Sequence, residues 1–206
     1  MLDLGNVIVR LAFERAYRAL REACPLDVEQ VRARLNSADL FVPYESGLIG
    51  SEEFYRRCKN LLEFDLAFDE FAAVWCDVFE PAPLLGEQFV ERLVERCDVT
   101  IASNTNPLHF EHLERSFPIL KRLPRRALSF ELGAVKPGRA FFERALKIAE
   151  RSASECLFVD DREENVQGAR AAGIDAAVFR SESGLLADLS RRGMLTTSTR
   201  SERGPQ

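Results

Sequence analysis

The sequence predicts an α/β fold, a doubly wound parallel sheet with a block of helices inserted after its first strand. Three observations predict it. The chain opens on a short apolar stretch; about 70 residues of helical patterning follow without a strand-like run; beyond Pro83, strand and helix patterns alternate. At roughly 150 residues per domain, 206 residues fit one such domain carrying an insertion.

The elements follow in order. Leu2 to Val9 is apolar and broken by a turn-like Gly5-Asn6. Phe13, Tyr17, Leu20 and Ala23 then recur at helical spacing with charges between them. Ser51 opens a helix whose first acids, Glu52 and Glu53, suit the helix dipole, with Phe54, Cys58 and Leu61 on one face. Asp69 to Phe79 reads as another helix, and no strand is expected between residues 11 and 81. Thereafter come a helix at 83–96, a strand at 98–102, a helix at 108–116 and a short strand at 127–130. A helix at 139–150, a strand at 156–159, a helix at 163–172 stopped by Gly173 and a strand at 175–179 complete the pattern. The polar run from Thr196 is expected to be disordered.

Composition removes several classes of function. The net charge is −5 with the basic residues scattered, so no counterion-releasing stripe for nucleic acid is expected. No apolar run is long enough for a transmembrane helix, and no leader-like segment precedes Asp3. The five cysteines are dispersed without a CxxC pair, and the two histidines share one short stretch. That argues against zinc and for reduced thiols in a cytoplasmic protein.

In open α/β sheets ligands sit at the carboxyl ends of the strands, and four such segments here end in polar residues. They are Asp3-Leu4-Gly5-Asn6, Ser103-Asn104-Thr105-Asn106, the loop Gly133-Ala134-Val135-Lys136-Pro137, and Val159-Asp160-Asp161 with Asn165 a turn later. Each alone has an ordinary reading: a solvated acid, turn chemistry, a surface lysine, or a capping box from Asp161 to Glu164. Together they make a set for phosphoryl transfer: a carboxylate nucleophile, a hydroxyl donor, a fixed cation and a tandem pair of acids. Clustered acids repel unless a lysine or a divalent cation neutralises them, and an all-oxygen site points to Mg²⁺.

These four stretches, spaced by 100, 33 and 24 residues between Asp3, Ser103, Lys136 and Asp160, resemble the motifs of the haloacid dehalogenase superfamily in their order. The resemblance covers residues 1 to about 190. It is closest to the α-D-glucose-1-phosphate phosphatase type, related to the N-terminal phosphatase domain of epoxide hydrolases. It implies a core of residues 1–10 and 83–192, a helical cap at 11–82 and a tail at 193–206. It also implies that Asp3 attacks phosphorus, that Ser103 and the Asn104 N–H hold the phosphoryl group, and that Lys136 neutralises it. Mg²⁺ would lie on Asp3, the Gly5 carbonyl, Asp160 and Asp161, with Asn165 orienting the acidic loop. The implied partner is a small, sugar-like phosphate ester, not nucleic acid or membrane.

One departure is prominent. Family phosphatases usually carry a second Asp two positions after the nucleophile, to protonate the leaving alcohol; here that position is Gly5. Loss of such help costs about 10²–10⁴-fold. His109 is a candidate replacement by residue type. The gap leaves two alternatives, a 2-haloacid dehalogenase, whose halide needs no proton, and a catalytically weak phosphate-binding or regulatory protein. Arg10 stands where relatives often have an acid, either as a solvated hinge residue or as a cation near the entrance. In the expected cap, Tyr44 and Glu45 are candidates to touch a sugar, and Phe54 and Trp75 to fill the cap core. Only Met1 and Leu2 precede Asp3, so the first strand is expected to be short and to hold Asp3 loosely, unless its start lies upstream.

Overall fold

The structure, a computed structural model, describes residues 1–195. Residues 1–3 lie at the centre of the main sheet, and the chain then turns tightly, the N–H groups of Ile8 and Val9 both returning to the Leu4 carbonyl. β1 (Val9–Leu11) leads into five helices: α1 (Phe13–Glu22), α2 (Val28–Ser37), α3 (Phe41–Glu45), α4 (Ser51–Leu62) and α5 (Phe68–Cys76). β2 (Phe79–Pro83) brings the chain back antiparallel to β1, pairing Val9 with Pro83 and Leu11 with Phe79. The remainder alternates: α6 (Glu87–Val94), β3 (Thr100–Ser103), α7 (Pro107–Ser116), β4 (Arg125–Leu128), α8 (Ser129–Leu132), α9 (Arg139–Ala149), β5 (Leu157–Asp160), α10 (Glu163–Ala171), β6 (Asp175–Val178) and α11 (Glu182–Arg191).

β3 pairs with β4 and β5 with β6, all parallel, while Leu2 bridges Ile101 on one flank and Val159 on the other. The sheet order is therefore β4, β3, residues 1–3, β5, β6. Residues 1–3 sit at the point where the strand order reverses, and Asp3, Ser103 and Asp160 all emerge at its carboxyl edge. Side chains alternate across the sheet. Leu2, Ile101 and Val159 join one apolar cluster, with Phe89 and Leu185; Ala102 and Phe158 join the other, with Phe141 and Phe142. The inserted helices bury a separate aromatic cluster of Tyr44, Phe54, Phe64, Phe71 and Trp75.

Three local expectations change. A strand occurs where only helix was expected, because Phe79-Glu-Pro-Ala-Pro carries two prolines that hide its extended character, and at an edge they cost no ladder bond. Position 4 turns directly after the central strand, so the opening apolar stretch is two short pieces. The first of these is held firmly despite its brevity: Leu2 N donates to Thr100 O (2.9 Å), Asp3 N to Val159 O (3.0 Å) and Ala102 N to Leu2 O (2.8 Å). Arg10 forms a solvent-exposed ion pair with Glu80 (3.3 Å) across the β1–β2 hairpin, consistent with its solvated-hinge reading. Of the expected tail, Gly193 to Leu195 are described, with Leu195 buried in the core and Met194 packed against it; residues 196–206 lie outside the described residues.

Candidate active site

Asp3 is 7% exposed at the end of the central strand. Its Oδ1 accepts from Leu4 N (2.7 Å) and from Lys136 Nζ (2.9 Å). The same ammonium donates to Asp160 Oδ2 (2.6 Å) and to the Ala102 carbonyl (3.0 Å), so all three of its protons have acceptors. Lys136 is delivered by a loop that Asn104 clasps at two points, accepting from Lys136 N (2.8 Å) and donating to Lys136 O (3.0 Å). The Asn104 side chain thus holds the lysine loop. The Ser103 hydroxyl is buried beside Asp3 and favours its ionised form.

Asp160 is fully buried at the end of β5. Its carboxylate accepts from Arg162 N (2.9 Å) and, at both oxygens, from Asn165 Nδ2 (3.0 Å). Asp161 does not open a capping box. The residue capping α10 is Arg162, and the Asp161 carboxylate accepts from Asn6 Nδ2 (3.1 Å). Asn6 has φ +53, a left-handed conformation Asn tolerates, and its Oδ1 also accepts from Leu11 N (3.1 Å). This one side chain ties the acidic loop to the root of the inserted helices. Its signal in sequence was limited to the turn-forming Gly5-Asn6 pair.

Carboxylate oxygens of Asp3, Asp160 and Asp161 lie within 4.8 Å of one another. Three carboxylates face one lysine, and burial, against the pull of Lys136, pushes the Asp3 carboxyl up to about 6, Asp160 adding repulsion. A hard divalent cation fits this set in donor type and in charge, and would relieve the repulsion. The sequence-predicted residues Asp3, Ser103, Asn104, Lys136, Asp160, Asp161 and Asn165 therefore converge at one sheet edge, with Gly5 lining the cleft above.

The model of the haloacid dehalogenase-like hydrolase family matches residues 3–173, a span containing every one of these side chains. The chain belongs to this family. A D-ribitol-5-phosphate phosphatase of Bacteroides thetaiotaomicron is 25% identical over 190 residues, covering 89% of this chain and 91% of that protein. The crystal structure of the HAD family enzyme bt-2542 from the same organism, in complex with magnesium and inorganic phosphate, superposes with a TM-score of 0.78 at 23% identity. It covers 87% of this chain and 92% of that one. A 2-haloacid dehalogenase from Pseudomonas syringae shares the fold at a TM-score of 0.60 and 19% identity, covering 99% and 90%. The fold alone therefore does not choose between the two chemistries.

The cleft of this hydrolase lies between the sheet edge and the inserted helices. Leu11, Phe13, Phe41, Trp75 and Phe79 wall it; Gly5, Glu45, Ser103, Asn104 and His109 reach it. Two sequence expectations change here. Tyr44 is buried inside the helical block, stacked on Phe54 (4.2 Å between ring centres) with its hydroxyl on Ser51 Oγ (2.9 Å). His109 stacks on Trp75, and both of its ring nitrogens are engaged. Nε2 lies 3.1 Å from the Trp75 carbonyl and Nδ1 3.1 Å from Asn106 Nδ2. Only a neutral ring that donates through Nε2 and accepts at Nδ1 satisfies both contacts, and burial holds the imidazole down to about 4. His109 joins the helices to the core; it is not placed to give up a proton.

Proposed function

We propose that this hydrolase is a Mg²⁺-dependent phosphomonoesterase acting on a small sugar or polyol phosphate. The observation that carries the reading is the Lys136 ammonium bridging Asp3 and Asp160, with Asp161 beside them: one buried nucleophilic carboxylate, one fixed cation and a spare acidic pair. Asp3 attacks phosphorus in line and carries the phosphoryl group as an acyl phosphate, which water then hydrolyses. Ser103 and the Asn104 main-chain N–H receive phosphoryl oxygens, and Lys136 keeps Asp3 ionised while compensating the phosphate charge. Asp3, the Gly5 carbonyl, Asp160 and Asp161 would hold Mg²⁺, which supplies a divalent charge against the phosphoryl oxygens when bound. Residues 11–82 act as a cap that excludes water and selects the leaving group. The sequence of the nucleophile loop, resembling the α-D-glucose-1-phosphate phosphatase type, and the ribitol-phosphate phosphatase relative both support a sugar or polyol leaving group.

Phosphate release from p-nitrophenyl phosphate tests the reading. It is expected to require Mg²⁺ and to fall by several orders of magnitude in Asp3→Asn, because the amide is no nucleophile. Activity that survives a chelator, or survives Asp3→Asn, would sink it. Halide release from a 2-haloacid in the presence of chelator would instead identify a dehalogenase.

A further inference from the structure

The site described so far has no group to protonate the leaving alcohol. Position 5 does not offer one, and its space is taken: a Cβ on Gly5 would stand 2.7 Å from Leu11 Cδ1, so the Leu11 side chain fills the volume a carboxyl there would need. Among the described residues lining the cleft, only Glu45 and His109 carry a side chain able to give or take a proton, and both His109 nitrogens are committed.

Glu45 is the last residue of α3, on the far wall of the cleft from Gly5 and Ser103. Its place is fixed by the backbone that follows. Gly47 has φ +71, and a Cβ there would lie 2.2 Å from the Phe130 carbonyl, so this turn sits directly against α8 of the core. Phe13, Phe41, Trp75 and Phe79 line the same cleft as Glu45. The charged groups that act on it across the cleft are Lys136, Asp3 and Arg162.

Resting on the phosphatase reading above, we infer that Glu45 is the leaving-group acid of this enzyme, acting from the helical cap in place of the absent side chain at position 5. In the first step the Asp3 carboxylate forms the O–P bond, the bond from phosphorus to the ester oxygen breaks, and the Glu45 proton passes to that oxygen, releasing the alcohol. In the second, the Glu45 carboxylate takes a proton from water as the water oxygen bonds phosphorus and the Asp3–phosphorus bond breaks. Inorganic phosphate leaves, and Glu45 is protonated again. Burial supports this cycle: it pushes the Glu45 carboxyl up to about 7, with Lys136 and Arg162 opposing and Asp3 reinforcing, which suits a group that must both give and take a proton.

The test compares kcat/KM, which reports only steps up to release of the alcohol, for an alkyl phosphate and for p-nitrophenyl phosphate, whose phenolate leaves without a proton. In Glu45→Gln the alkyl phosphate is expected to lose about 10²–10⁴-fold and the aryl ester less than about tenfold. Glu45→Asp should recover part of the alkyl activity. The wild-type enzyme provides a second readout independent of any variant. Its alkyl-phosphate kcat/KM should decline as pH rises past about 7, where Glu45 loses its proton, while the aryl-ester profile lacks that limb. Equal losses on both esters, no loss on either, or matching wild-type pH profiles would overturn the assignment while leaving the phosphatase reading standing. Failure of the wild type to release phosphate from either ester would overturn both.

Discussion

Lys136 shows how much one side chain decides here. Its ammonium makes the burial of Asp3 and Asp160 tolerable, since buried carboxylates persist only when paired and hydrogen-bonded. His109 is the opposite case, a titratable group held neutral. Its ordinary value is about 6.5 and burial holds it near 4, so between those values the unfolded chain binds a proton that the folded chain refuses. The stability it contributes is thus complete above about pH 6.5 and is lost as pH falls toward 4. His109→Phe keeps a ring on Trp75 but leaves the Trp75 carbonyl and the Asn106 amide without their partner, costing about 1–3 kcal/mol at neutral pH. The difference in Tm between variant and wild type should shrink as pH is lowered from 6.5 to 4.5. A difference that stays constant over that range would contradict this account.

At the level of elements, the site depends on close approaches between backbones. α10 packs on the lysine loop through Gly168, where a Cβ would meet the Pro137 carbonyl at 2.6 Å, and the Asn104 clasp holds the loop's other side. The turn after α3 meets α8 through Gly47 in the same manner. Gly47→Ala imposes both a disfavoured φ and a backbone clash, so it should cost about 1–3 kcal/mol. By moving α3 off the core it should also lower alkyl-phosphate turnover more than aryl-ester turnover. Unchanged Tm together with an unchanged ratio of the two would show that this docking is unimportant. The central strand makes the same point from the other side. Residues 1–3 are too few to hold Asp3 by themselves, yet hydrogen bonds to β3 and β5 on both flanks hold it.

Across the whole molecule, two apolar cores flank the sheet, a third fills the inserted helices, and the uncompensated charge gathers where they meet. Three carboxylates against one lysine destabilise the metal-free fold, and a cation that binds only the folded chain adds stability by mass action. At 100 times its dissociation constant Mg²⁺ should contribute about 2.7 kcal/mol, raising Tm by roughly 5–10 °C, with the gain reversed by a chelator. The shift should be reduced in Asp161→Asn, which removes one charge at a partly exposed position. Equal shifts in variant and wild type would place the cation elsewhere. No helix among the described residues is long and apolar enough to cross a membrane.

The alternation of strands and helices after Pro83 and the polar residues at the strand ends were legible in the chain itself. A parallel sheet covered on both faces imposes short, nearly continuous apolar runs, and its carboxyl edge must carry the chemistry. The residue types Asp3, Ser103, Lys136 and Asp160 followed from that, whereas the missing acid at Gly5 was legible only through the family resemblance. The tertiary structure alone decided the rest, because it turns on distances between segments far apart in sequence. It committed both nitrogens of His109, buried Tyr44 in the helical block, turned Asp161 toward Asn6 rather than a helix cap, and set Leu11 in the space above Gly5. It also brought Glu45, 42 positions after Asp3, to the opposite wall of the cleft. A carboxyl in an exposed helix and a carboxyl facing the leaving group look alike in a sequence, and only packing gives one of them a raised proton affinity.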